Sequence, residues 1–180
     1  MSGKGNDRRT DRIRSRAYRI ALCGVLTAIM LALGFLESRI PAGPVPGIKL
    51  GLSNCVLVCA IYALGIPTAF LLMLLKVTLS GFLFGSVSAM MYAFAGGLLS
   101  MLVMALLSRI RGVHIVAVSM AGGMMHNVGQ VALSMLILKT PKLVYYMAVL
   151  MVVGLICGAV SGVCANRLNR FLASHGSHRP

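Results

Sequence analysis

The sequence predicts an all-α integral membrane protein of six transmembrane helices, and three observations predict it. Hydrophobic residues make up 58% of the 180 positions and charged residues only 11%, too little polar surface to clothe a soluble domain. Apolar runs recur along the chain at lengths near the roughly 20 residues that a helix needs to cross the hydrocarbon core. Each break between them carries Gly, Pro, Ser or a charge, the punctuation expected at helix ends.

The first run, 20–36, has no clean small-residue cleavage site before the next polar turn, so it reads as a retained helix rather than a removed signal. The second and third, 50–64 and 66–83, are parted only by Gly65-Ile66-Pro67. They are either two spans, the first of them short, or a re-entrant hairpin. The fourth, fifth and sixth runs, 87–107, 113–138 and 143–165, each have the length of a span. The expected organisation is a membrane domain over 20–166 between basic tails, 1–19 and 167–180.

The net charge of +14 would suggest nucleic acid in a soluble protein. Here the cations flank apolar runs, where they orient the chain and meet anionic headgroups, and no nucleic-acid partner is expected. With the N-terminus inside, twelve Lys or Arg residues fall on cytoplasmic segments, against Arg39, Lys49, Lys139 and Lys142 outside. That asymmetry predicts a multi-pass protein of the cell membrane with both termini cytoplasmic. The five cysteines are odd in number and lie inside apolar runs, so no disulfide framework is expected.

Lys76 is the most informative residue, a charge near the centre of an apolar run. At that depth a cation costs roughly 2.5–3.5 kcal/mol on insertion scales, so it must face protein, water or a partner. Either it lines a ligand site or its stem snorkels to a counter-ion such as Glu37. Asn54, His126, Asn127 and Gln130 are further polar groups in apolar runs, and the predicted orientation places them and Lys76 from mid-membrane outward. Interhelical hydrogen bonding would explain the amides and imidazole; an outward-open cavity made electropositive by Lys76 and Lys49 would also explain them, and would favour a small polar or anionic ligand. The segment Glu37–Lys49, with Arg39, Pro44 and Pro46 among its residues, is either a plain connector or a semi-rigid flap over that cavity. No metal site is expected around His126, which has no second His, Cys cluster or carboxylate near it in sequence.

Small residues at four-residue spacing mark faces where helices approach closely. Gly154, Gly158 and Gly162 form one such stripe in the last run, expected to pack within the bundle. Ala17, Ala21, Gly24, Ala28 and Ala32 form another in the first, which packs within the bundle or docks on a separate membrane subunit.

Pro46-Gly-Ile-Lys-Leu-Gly-Leu-Ser-Asn54, Lys76-Val-Thr-Leu-Ser-Gly-Phe-Leu-Phe-Gly85, the Gly96-Gly97 pair and His126-Asn-Val-Gly-Gln130 resemble the Gx transporter family, also called heptaprenyl diphosphate synthase component I, over about residues 17–168. The resemblance implies kinship with the substrate-binding S components of energy-coupling factor transporters: a six-helix S-component-like bundle, an outward cavity capped by the loop after the first helix, and an Ala-x-x-x-Ala stripe meeting a transmembrane coupling subunit that works with ATPases. It implies Lys49, Asn54, Lys76, His126, Asn127 and Gln130 as ligand contacts, and no cofactor. It also leaves open a non-catalytic accessory role in polyprenyl or quinone synthesis or in extracellular electron transfer. A catalytic role is not expected, because a prenyl diphosphate synthase needs aspartate-rich motifs to hold Mg²⁺ on diphosphate. Asp7 and Asp11, the only aspartates, lie in the basic N-terminal segment.

Overall fold

The computed structural model describes residues 3–39, 49 and 51–176. Among them the chain forms six α-helices and no strand: α1 (Gly3–Arg39), α2 (Asn54–Leu64), α3 (Ile66–Phe84), α4 (Val87–Leu107), α5 (Ile115–Leu138) and α6 (Leu143–Gly176). The chain alternates in direction, so the C-terminal ends of α1, α3 and α5 meet the N-terminal ends of α2, α4 and α6 at one end of the bundle. Phe35 meets Phe84 there, Lys49 meets Gln130 and Asn127 meets Leu150.

Four helices are long and apolar enough to cross a membrane among the described residues: Arg16–Arg39 within α1, α3, α4 and Leu143–Arg170 within α6. The six expected spans therefore divide unequally. At 11 residues, α2 reaches only about 16 Å, roughly half the hydrocarbon thickness. It ends at Gly65, whose φ of 90° is open to glycine and costly for residues with a Cβ. Pro67 then sits in the first turn of α3, where no intrahelical N–H is needed. α5 has the length, 24 residues, but carries His126, Asn127, Gln130 and Ser134 along one stretch. Protein surrounds it on several sides, since it packs against α4, α6 and α2.

Helix ends differ from the expected ones where charge was read as a boundary. α1 continues back through the basic N-terminal segment to Gly3, and α6 runs on to Gly176. Arg and Lys are good helix formers, and a change from lipid to water does not interrupt backbone hydrogen bonding. α1 also extends to Arg39, so Glu37 and Arg39 belong to its last turn rather than to a loop. The remaining predicted flap residues, Pro44 and Pro46 among them, lie outside the described residues.

α1 is peripheral, touching α3 and α2. The main core unites Leu26 and Met30 of α1 with Leu57, Val58, Leu72, Met73, Met101, Met104 and Val118. A second cluster, Tyr92, Val131 and Leu150, closes the end of the α4–α5–α6 wall with Leu143, Tyr146 and Met147 packed against it. The tightest seam is between α5 and α6. A Cβ added at Gly123 would lie 2.3 Å from the Gly154 carbonyl oxygen, and one at Gly158 or Gly162 would lie 2.7 Å from the Cα of Met120 or Val116. The helices approach backbone to backbone, the arrangement that dispersion favours where lipid supplies no hydrophobic drive.

Candidate functional site

Buried polar groups lie toward that end on α1, α2, α3 and α5 and on the segment before α2. Glu37, Lys49, Asn54, Lys76, His126, Asn127 and Gln130 are each less than one-tenth exposed. Lys76 is only 3% exposed, so its ammonium does not snorkel to a surface; it lies within Coulombic reach of His126, as does Lys49.

Lys49 and residues 51–54 form the strap that gathers them. Gln130 holds it from α5 through both atoms of its carboxamide: the Lys49 N–H donates to Oε1 at 2.9 Å, and Nε2 donates to the Lys49 carbonyl at 3.1 Å. From α1, Glu37 Oε1 accepts a hydrogen bond from the Leu52 N–H. From α3, the Phe84 ring carries the Lys49 ammonium 5.5 Å from its centroid. Phe84 meets Phe35 edge to face at 5.6 Å, and Arg39 stacks on the other ring at 4.9 Å. Burial pushes the Lys49 ammonium below its ordinary pKa, and the nearby Glu37 carboxylate opposes part of that shift.

Gly51 brings this strap down on the site. Its φ is +85°, and a Cβ there would lie 3.0 Å from both Asn54 Nδ2 and His126 Cδ2. Gly51→Ala therefore combines a left-handed backbone with a steric clash, and is expected to cost about 1–2 kcal/mol from backbone strain alone. Thermal unfolding of the purified protein checks it. On the opposite side Gly96 of α4 makes room for α5, because a Cβ there would lie 2.5 Å from the His126 carbonyl oxygen and 3.0 Å from His126 Nδ1.

Among the described residues, several buried polar atoms in this region have no hydrogen-bond partner: Glu37 Oε2, Ser53 Oγ, both side-chain atoms of Asn54 and Asn127 Oδ1; the His126 imidazole has the Gly96 backbone beside it. Buried polar groups are ordinarily satisfied by protein or by ordered water. The implied contacts differ in how much hydrogen-bonding capacity they retain. Gln130 has both carboxamide atoms engaged with the Lys49 peptide. Asn127 uses Nδ2 to donate to the Leu150 carbonyl of α6 at 2.6 Å, which leaves its oxygen. Asn54 is uncommitted at both atoms. Among the described residues no three His, Cys, Asp or Glu side chains group to hold a metal ion.

Outside the site, Ala17, Ala21, Gly24, Ala28 and Ala32 are exposed on α1, and a Cβ at Gly24 would meet nothing within 4 Å. Sequence reasoning passed over Gly51, Ser53 and the Phe35–Phe84 pair as contributors. Gly51 and Ser53 sit inside the Pro46–Asn54 motif, which was their only signal.

Residues 26–168 match the family model described as heptaprenyl diphosphate synthase component I. No curated protein matches, and neither does any solved structure.

Proposed function

The chain belongs to the heptaprenyl diphosphate synthase component I family, and from that premise we propose that it is a membrane-embedded, S-component-like binding subunit of a transporter. It takes a small polar or anionic ligand at the end of the bundle where the strap lies, the end that the cation asymmetry assigns to the cell exterior. The observation that carries this reading is the set of polar atoms on Asn54, Asn127 and Glu37 that have no hydrogen-bond partner among the described residues, each side chain nearly inaccessible to solvent. A bundle stabilised only by interhelical hydrogen bonds would gain from pairing them. A ligand that pairs them would supply the hydrogen bonds that the described protein groups do not make to them.

Lys76, Lys49 and His126 supply positive or polarisable groups beside those atoms. Gln130 contributes by fixing the strap rather than by touching ligand. The strap's anchors on α1, α3 and α5 make it the element that must shift for a ligand to enter. The chain has no nucleotide-binding loop of its own, so active transport would rely on a coupling subunit with ATPases. The small-residue face of α1, exposed among the described residues, suits contact with such a subunit.

The family description favours a second reading, a non-catalytic membrane component that associates with other components of a prenyl diphosphate synthase. Quinone synthesis or an electron-transfer assembly would be its setting, and α1 its contact face. In neither reading does the chain catalyse, since Asp7 and Asp11 form no aspartate-rich motif.

The test is purification in mild detergent followed by mass spectrometry of released small molecules. The wild-type protein is expected to carry a bound small molecule, and Lys76→Ala and His126→Ala to lose at least about tenfold of it while eluting as folded monodisperse protein. An unoccupied wild type whose variants lose only partner proteins would favour the accessory reading instead.

A further inference from the structure

The hydrogen-bonding inventory of the site narrows the ligand class, on the premise that the site binds a ligand as proposed above. Three of the unpartnered atoms can only accept: Glu37 Oε2, Asn54 Oδ1 and Asn127 Oδ1. One, Asn54 Nδ2, can only donate, while Ser53 Oγ can serve either way. The Asn127 assignment is fixed by chemistry, because the atom 2.6 Å from the Leu150 carbonyl oxygen must be the donor. Glu37 Oε2 is the second oxygen of the carboxylate whose Oε1 receives the Leu52 N–H and whose charge acts on the Lys49 ammonium.

The unpartnered atoms are therefore richer in acceptors than in donors, although the lysines make the surroundings positive. Lys49 rests its ammonium on the Phe84 ring, and Lys76 has an interaction of its own within the protein. A simple carboxylate brings acceptors alone and a phosphate brings mostly acceptors, so either would leave most of the three oxygens facing further oxygens. Asn54 is the informative member. A buried carboxamide uncommitted at both atoms presents a donor and an acceptor side by side, and the complement of that edge is another amide edge.

We propose that the ligand presents a cyclic amide or imide edge, its N–H donating to Asn54 Oδ1 and its adjacent carbonyl accepting from Asn54 Nδ2. Further N–H or O–H groups on the ligand meet the Asn127 and Glu37 oxygens. The class is an uncharged, donor-bearing heterocycle rather than an inorganic or acyl anion.

Two probes separate these chemistries on the full-length protein in detergent: uracil, a neutral imide, and inorganic phosphate. Uracil is expected to raise the thermal unfolding temperature saturably and phosphate to leave it unmoved. Asn54→Asp keeps the size of the side chain and removes the donor, and should weaken uracil binding about tenfold or more. The comparison of probes on the wild type stands even where that variant folds poorly. Stabilisation by phosphate alone, lost in Lys76→Ala, would overturn the amide-edge assignment and leave the binding-subunit reading intact. No shift with either probe would overturn the assignment too, the broader reading then resting on the molecules released from the purified protein.

Discussion

Gln130→Ala is expected to lower the unfolding free energy by about 2–6 kcal/mol, on the basis of about 1–3 kcal/mol for each buried backbone group left without a partner. Two such groups are at stake, the N–H and the carbonyl of Lys49, both held by one carboxamide that is itself fully buried. Alanine supplies neither a donor nor an acceptor, and it opens a void in the wall of α5. The loss should be local before it is global. Hydrogen exchange at the Lys49 and Leu52 amides should accelerate, while α3, α4 and α6 keep their protection. Gln130→Glu keeps the acceptor and loses the donor, and should fall between wild type and alanine. Unchanged exchange at Lys49 in Gln130→Ala would show that the strap is held by its other anchors.

Gly123→Ala should be comparably damaging for a steric reason. The added methyl would stand 2.3 Å from the Gly154 carbonyl oxygen and 3.4 Å from the Gly158 Cα, and the nearest atoms are backbone, which cannot rotate aside. α5 and α6 must separate, losing dispersion along the seam and stretching the Asn127–Leu150 hydrogen bond. The expected cost is on the order of 1–3 kcal/mol or more, read as a lowered unfolding temperature in detergent and a loss of monodisperse protein. Gly24→Ala is the control, because α1 leaves open space there; its stability should equal or slightly exceed that of the wild type. Equal tolerance at the two positions would contradict the close approach of α5 and α6.

How far the sequence could be read follows from which physical signals are local. Apolar runs mark the helices because lipid and core both demand them, and the breaks at Gly65-Pro67 and Ser86 coincide with real helix ends. The basic segment before residue 20 was read as a tail because charge signals the membrane boundary. Whether the helix stops there is a separate question of backbone propensity, and Arg does not stop it. α2 starts at Asn54, later than its apolar run, because Gly51 takes a positive φ. The costs of burying Lys76, His126 and Gln130 were legible residue by residue. That Gln130 would clamp a peptide group 81 positions away was not, since any buried amide looks alike in sequence until its neighbour is known. The depth of Glu37 was hidden for the same reason, its partner being the backbone of Leu52.

The sheathing of α5 has a consequence for biogenesis. A segment bearing His126, Asn127 and Gln130 partitions poorly into lipid as it leaves the ribosome, and the groups that accommodate it lie on both sides of it in sequence: Gly96 on α4, already made, and Gly154 and Leu150 on α6, still to come. Stable insertion of α5 must therefore await synthesis of the last helix, so truncation before residue 143 would strand a polar segment that the translocation machinery rejects and quality-control proteases remove.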